Sequence, residues 1–172
     1  ITSAVFFKIT SVQVAGDTGR YSADQVIGTS GIVSGDNMFS FKAGEVEHAI
    51  ESAFPYIEHV KVKRKLPSVV EISVEQAQPS RAFLDSNGTY TLVSESGKVL
   101  ETGAGKPEGA LEILGISFQD ISAGQYLDAS VLPDLNTLSQ ITDALAEWGI
   151  EGSRAIDLTD KFNIKIQYNE SV

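Results

Sequence analysis

Residues Phe54 to Gln76 read FPYIEHVKVKRKLPSVVEISVEQ, and the pattern within them decides the fold. Val60 and Val62 alternate with Lys61 and Lys63, while Val70, Ile72 and Val74 alternate with Glu71, Ser73 and Glu75. A period of two is that of a strand with one buried and one wet face. Leu66-Pro67-Ser68 lies between the two runs, so the segment predicts two half-buried antiparallel strands joined by a turn.

Working upstream, Val46, Ala49, Ile50, Ala53 and Phe54 fall at i, i+3, i+4, i+7 and i+8, the spacing of one helix face, and Pro55 ends the helix. Ser22 and Gln25 have capping-box spacing ahead of Val26 and Ile27, with Gly28 and Gly31 as stops, which predicts a short helix over residues 23–29. Gly35 to Ser40 reads as a loop. In Phe7 to Gly16 the alternation of Phe7 and Ile9 slips by one residue before Val12 and Val14, as a bulge would make it. The predicted order is β-α-α-β-β, a small sheet with two helices on one face.

Downstream of Pro79 the pattern becomes one of short strands. Arg81 to Leu84, Tyr90 to Ser94 and Lys98 to Glu101 are separated by turns at Asp85-Ser86-Asn87-Gly88 and Ser96-Gly97. A Gly-rich loop follows over Thr102 to Gly109, then a strand over Leu111 to Phe118. Leu135, Leu138, Ile141, Leu145 and Trp148 mark a helix with Gly149 behind it. Strands at Ala155 to Leu158 and Phe162 to Tyr168 complete the pass. The fold class is therefore α+β, with domains expected at residues 1–78 and 79–172.

With 172 residues, 42% hydrophobic and 21% charged, the composition is that of an ordinary globular protein. The formal net charge of -10 argues against nucleic acid or an anionic lipid surface, and against a general polyanion ligand. Charge is unevenly divided, with 7 basic and 9 acidic residues up to Gln78 and 6 and 14 beyond it. Cysteine is absent, which excludes disulfides and thiolate metal sites. No run approaches the roughly 20 apolar residues needed to span a bilayer.

The quoted segment resembles the helix end and hairpin of POTRA domains in the FtsQ/DivIB family of bacterial cell-division proteins. Pro55-Tyr56-Ile57 matches the family's proline-aromatic-aliphatic step, Val60 and Val62 its strand, and Arg64, Leu66 and Pro67 its "R-x-hydrophobic-P" turn. Glu75 and Pro79 match the residues leading into its second domain. Phe7, Ile9, Val12, Val14 and Gly16 fit its first strand, and Gly35, Asn37, Met38 and Phe39 its "G-x-N-aliphatic-aromatic" loop. Gly97-Lys98-Val99-Leu100 is similar to its "G-x-V-L" hairpin, and Leu114-Gly115 to a strand end. The resemblance is specific in the first half and topological in the second. Lys63-Arg64-Lys65 and the acidic second half tilt it toward the DivIB branch.

The resemblance implies a non-catalytic scaffold of the division machinery, on the extracytoplasmic face of the cell membrane at the septum. It implies partners similar to FtsL and DivIC (FtsB) or a septal penicillin-binding protein, no cofactor, and one membrane helix upstream. Family second domains continue past the strand that matches Phe162 to Tyr168, so an incomplete or shortened ectodomain is expected here. The competing reading is a POTRA-type transport or chaperone domain of the outer-membrane assembly class, although such proteins string several POTRA units together.

Binding by strand addition needs an open sheet edge. The candidate edges are the Val69 to Glu75 region, the first strand and the last, where Ile164, Ile166 and Tyr168 are the expected contact residues. Lys61, Lys63, Arg64 and Lys65 form a basic cluster in an acidic chain. It reads as a solvated face that protects an edge, or as an electrostatic docking patch for an acidic partner or the outer membrane surface. Arg64 lies on the apolar phase and is expected to cap the turn.

Catalytic and metal constellations are weak. Glu45, Glu47 and Glu51 with His48 are expected on a solvated helix face opposite the apolar stripe, and His59 on a polar strand face. Asp85-Ser86-Asn87-Gly88 begins like a calcium loop, but position 96 is Ser where a bidentate Glu would be required. Gly103-Ala104-Gly105-Lys106 lacks the spacing and the Ser or Thr of a phosphate loop. No Gly-x-Ser-x-Gly elbow occurs.

Overall fold

The computed structural model describes residues 7–118, 120–128 and 133–168. The chain divides into two compact units, Ile1–Ala77 and Gln78–Val172. In the first, β1 (Ser11–Gly16), α1 (Ala23–Ser30), α2 (Ala43–Ala53), β2 (Ile57–Lys65) and β3 (Val69–Gln76) follow the β-α-α-β-β order that the patterns predict. The sheet order is β1-β3-β2, with β1 parallel and β2 antiparallel to β3. Alternation places Val60 and Val62 opposite Val74 and Ile72 on the buried face. Val26 of α1 and Val46 and Ile50 of α2 pack into the same core.

Local chemistry sets the element ends. Gln25 N donates to Ser22 Oγ at 3.2 Å and Ser22 N to Gln25 Oε1 at 2.8 Å, completing the capping box, and Gly31 at φ 66° closes α1. β1 ends at Gly16, where φ is 96° and a Cβ would lie 2.1 Å from the Val74 carbonyl oxygen, so only glycine fits.

The bulged strand expected over Phe7 to Gly16 is instead two segments with different partners. Ile9 N donates to Asp36 O at 2.9 Å and Gly35 N to Ile9 O at 2.7 Å, which ties the first stretch to the loop after α1. Thr10 N then donates to Ser68 O at 2.8 Å and brings the chain to β3. The slip in hydrophobic phase marks that change of partner.

The second unit holds a six-stranded sheet of order β6-β5-β4-β7-β8-β9. Its strands are β4 (Arg81–Leu84), β5 (Tyr90–Val93), β6 (Val99–Ala104), β7 (Leu111–Leu114), β8 (Ser153–Asp157) and β9 (Lys165–Tyr168). β4, β7 and β8 are mutually parallel, and α3 (Pro133–Glu147) provides the crossover from β7 to β8. Leu138 of α3 is buried with Phe83, Ile113 and Ile156.

Several boundaries differ from the sequence reading. β7 stops at Leu114 because Gly115, at φ 87°, abuts the Leu158–Thr159 backbone; a Cβ there would meet Thr159 N at 2.4 Å. β6 runs to Ala104 and takes in part of the expected Gly-rich loop. Trp148 lies beyond the end of α3 and is 74% exposed, outside the helix face it was expected to mark. β9 begins only at Lys165, because Asp160 folds the preceding residues into a turn by accepting from Phe162 N at 3.0 Å and Asn163 N at 3.0 Å.

Asp85 holds its hairpin turn by accepting from Thr89 Oγ1 at 2.7 Å and Asn87 N at 2.7 Å, and the Thr89 bond foremost keeps its carboxyl below its ordinary pKa. Glu112 on β7 links non-adjacent strands: it pairs with Lys106 and accepts from the Tyr90 hydroxyl of β5 at 2.6 Å, across β4. The Lys106 ammonium, and after it the Tyr90 hydroxyl, hold the Glu112 carboxyl below its ordinary value of 4.5. A depressed carboxyl contributes stability that is full above its unfolded pKa and lost as pH falls through the folded value. Thermal stability of the second unit is therefore expected to fall as pH drops below 4.5. Glu112→Gln should lower stability at neutral pH and flatten that acid limb, as calorimetry between about pH 2 and 7 would show.

Candidate functional site

Strand edges are the natural docking surfaces of two small sheets, because an edge presents backbone N–H and C=O groups that must find a partner. The structure disposes of its edges unequally.

β3 is not an edge. β1 pairs with it on one side and β2 on the other, so the Val69 to Glu75 region is the interior strand of its sheet and is removed from the candidate edges.

β2 is an edge on which the unit covers two of the outward amides itself. Val62 N donates to Glu47 Oε1 at 2.8 Å and Val60 N to Glu51 Oε1 at 2.8 Å. The match is geometric. Four residues of helix advance about 6 Å, close to the roughly 6.6 Å of two strand residues, so carboxylates at i and i+4 meet alternate amides of an adjacent strand. Glu47 also lies 3.4 Å from the Lys61 ammonium.

This corrects the solvated-face reading of Glu47 and Glu51. Ala49 and Ala53 are the exposed residues, whereas Glu47 and Glu51 are half-buried beside Val46 and Ile50. The buried face is turned by roughly 60° from the expected stripe, at about 100° per residue. A signal existed in the i, i+4 glutamates just before an edge strand, but alanine blends into either side of an apolar stripe. Glu45, as expected, is exposed and pairs with Lys42 at 2.7 Å, and His48 and His59 are exposed.

In the second sheet, the start of β6 is covered by the chain that returns over it. Val99 N donates to Gln125 O at 2.7 Å, Gly124 N to Val99 O at 2.8 Å and Leu127 N to Gly97 O at 2.8 Å. β9 is different: it pairs with β8, and among the described residues no strand pairs with its other side. Ile166 packs against the core of this unit, while Tyr168 is 42% and Ile164 36% exposed. Phe162, just upstream, is fully exposed. β1 is the remaining edge; Gln13 is exposed along it and Val12 and Val14 are half-buried.

The basic cluster is divided by the pleat. Lys61, Lys63 and Lys65 share the open face of the first sheet, where Lys65 pairs with Glu71. Arg64 points the other way. Its Nε donates to Met38 O at 2.8 Å and a terminal nitrogen to Phe41 O at 2.6 Å, with the guanidinium 4.5 Å from the Phe41 ring centre. It therefore pins the loop before α2 rather than capping the β2–β3 turn. Among the described residues no helix is long and apolar enough to cross a membrane.

The first unit, a three-stranded sheet carrying two helices in β-α-α-β-β order, is a POTRA domain: residues 7–76 match the family model described as POTRA domain, FtsQ-type. A cell division protein FtsQ of Corynebacterium glutamicum is 26% identical over 163 residues, covering 95% of this chain and 68% of its own length. A cell division protein DivIB of Clostridium botulinum is 26% identical over 174 residues, covering 95% of this chain and 64% of its own. A cell division protein FtsQ of Geotalea daltonii is 25% identical over 129 residues, covering 71% and 43%. Residues 7–76 thus carry the FtsQ-type POTRA domain, and the relatives that the chain resembles over most of its length are cell division proteins named FtsQ and DivIB. Its relatives carry both names, so the similarity does not choose the DivIB branch over the FtsQ branch.

Removing either glutamate would leave a β2 amide without its charged acceptor, a loss of about 1–3 kcal/mol. Glu47→Ala and Glu51→Ala are each expected to destabilise the first unit by that amount in urea unfolding, with faster amide exchange at Val62 and Val60 respectively. Glutamine, which keeps the acceptor oxygen, should restore most of the loss.

Proposed function

We propose that this chain is a non-catalytic scaffold of the division machinery that holds partner proteins by accepting a strand on the free side of β9. The observation that carries this reading is the contrast between edges. Two of the outward amides of β2 are covered by Glu47 and Glu51, the start of β6 is covered by residues 124–127, and β9 is paired on one side only among the described residues. Of the edges left, β9 has the exposed apolar residues Phe162, Ile164 and Tyr168 beside it, as a strand-addition site needs for side-chain specificity. β1 offers mainly backbone.

In this reading residues 1–78 are the POTRA domain and 79–172 a β-domain. The partners are proteins similar to FtsL and DivIC (FtsB), with a septal penicillin-binding protein as a further candidate. The natural chain acts at the septum on the extracytoplasmic face of the membrane, held by one helix upstream. Ile164, Ile166 and Tyr168 contact the partner strand. Lys61, Lys63 and Lys65 offer an acidic segment a complementary face, with Arg64 shaping the loop behind them. A single POTRA unit followed by a different sheet supports this reading over a transport or chaperone array, which repeats the POTRA unit.

The test is an affinity titration of the chain against purified extracytoplasmic segments of FtsL and DivIC, with Ile166→Pro and Tyr168→Asp variants. Specific binding that falls at least about tenfold in both variants, with unfolding of the POTRA unit unchanged, is the expected result. Undiminished binding by both would reject the β9 edge.

A further inference from the structure

One end of the POTRA unit departs from the rest of that unit in both charge and exposed apolar side chains. Three segments meet there: residues 7–10, the loop from Gly31 to Lys42, and the turn that joins β2 to β3. Hydrogen bonds fix their meeting. Thr10 Oγ1 donates to Ser68 Oγ at 2.9 Å, Met38 N to Phe7 O at 2.7 Å, and the Arg64 guanidinium to Met38 O and Phe41 O. The strand ends at Ser11, Lys65 and Val69 lie at the same end of the sheet by register.

Every exposed large hydrophobic residue described in this unit sits in these segments: Val33 and Phe39 at 59% exposure and Leu66 at 60%. These segments and the end of β2 carry Lys8, Lys42, Lys63, Arg64 and Lys65, with Asp36 and, opposite Lys63 on β3, Glu71 as the acids beside them, in a chain whose net charge is -10. Lys42 and Lys65 have carboxylate neighbours in Glu45 and Glu71. The carbonyls that hold Arg64 leave its charge uncompensated, and Lys8 and Lys63 are exposed.

We propose that this end of the POTRA unit docks on an anionic lipid surface, with Phe39, Leu66 and Val33 entering the headgroup boundary and the surrounding cations meeting lipid phosphates. Apolar side chains presented singly from two loops do not form a pocket for a protein anchor, but a lipid interface takes them without shape complementarity. Each basic residue close to an anionic bilayer strengthens binding about fivefold, and lysine stems lie along apolar surface while their ammonium groups reach the phosphates. The chain enters the unit at this end, through Phe7, and leaves for the second unit from the opposite end of β3, after Gln76. A membrane segment preceding Phe7 would therefore hold the patch toward the bilayer. The net negative charge of the whole chain, which by itself argues against an anionic lipid surface, does not describe this end.

The test is flotation of the 172-residue chain with vesicles of phosphatidylcholine alone or containing phosphatidylglycerol at about 30 mol%, at low and high salt. Binding to the anionic vesicles is expected to exceed that to neutral ones at least about tenfold and to fall in high salt. Phe39→Ser with Leu66→Ser, and separately Lys8→Glu with Lys63→Glu, should each lower it at least about tenfold while thermal unfolding stays unchanged. Tyr168→Asp should leave it intact, which separates this proposal from the β9 reading. Failure to bind anionic vesicles, equal binding to both compositions, or full retention by both double variants would overturn it. Capture of an acidic protein segment by these residues without vesicle binding would also overturn it, by assigning the patch to a protein.

Discussion

The first unit depends on the pair of hydrogen bonds that carry the Val60 and Val62 amides onto the Glu51 and Glu47 carboxylates. A three-stranded sheet has two edges for one interior strand, and an unprotected edge both loses stability and invites unwanted pairing. Placing α2 so that its glutamates meet β2 covers two of the outward amides on one edge. It also brings Val46 and Ile50 over the buried face of the sheet. Hydrogen bonding and core packing thus fix the same helix orientation.

The second unit handles its edges by other means. The returning chain at residues 124–127 covers the start of β6, while β7, β4 and β8 are interior. Among the described residues β9 has a strand on one side only, and its free side is where we propose that the sheet grows. The exposed apolar residues beside it are what a docking strand would bury. The POTRA unit covers two β2 amides with its own glutamates and leaves β1 as an edge, while in the second unit β9 has a strand on one side only among the described residues.

Much of this was legible in the sequence, and what was not has physical causes. The β2–β3 hairpin and α1 follow from alternation and a capping box whose chemistry is local. The class of protein follows from the motif around Pro55, Arg64 and Pro67. The rotation of α2 was not legible, because Ala49 and Ala53 are compatible with burial or exposure and the covering partner of a helix face is a tertiary fact. The central position of β3 was hidden for the same reason, since its pairing with β1 joins residues distant in the chain. Arg64 was legible as an anomaly on the apolar phase of its strand, but its targets, the Met38 and Phe41 carbonyls, could not be read from spacing. Phe162 and Ile164 alternate with Ile166 like strand residues, yet the Asp160 turn excludes them from β9.

The most direct test of the account is amide hydrogen exchange, resolved by residue, on the chain alone and with a saturating partner segment. The account predicts that the outward amides of β9 gain protection while Val60 and Val62, protected by Glu51 and Glu47 from the start, do not change. New protection along β2, with β9 unaffected, would contradict it.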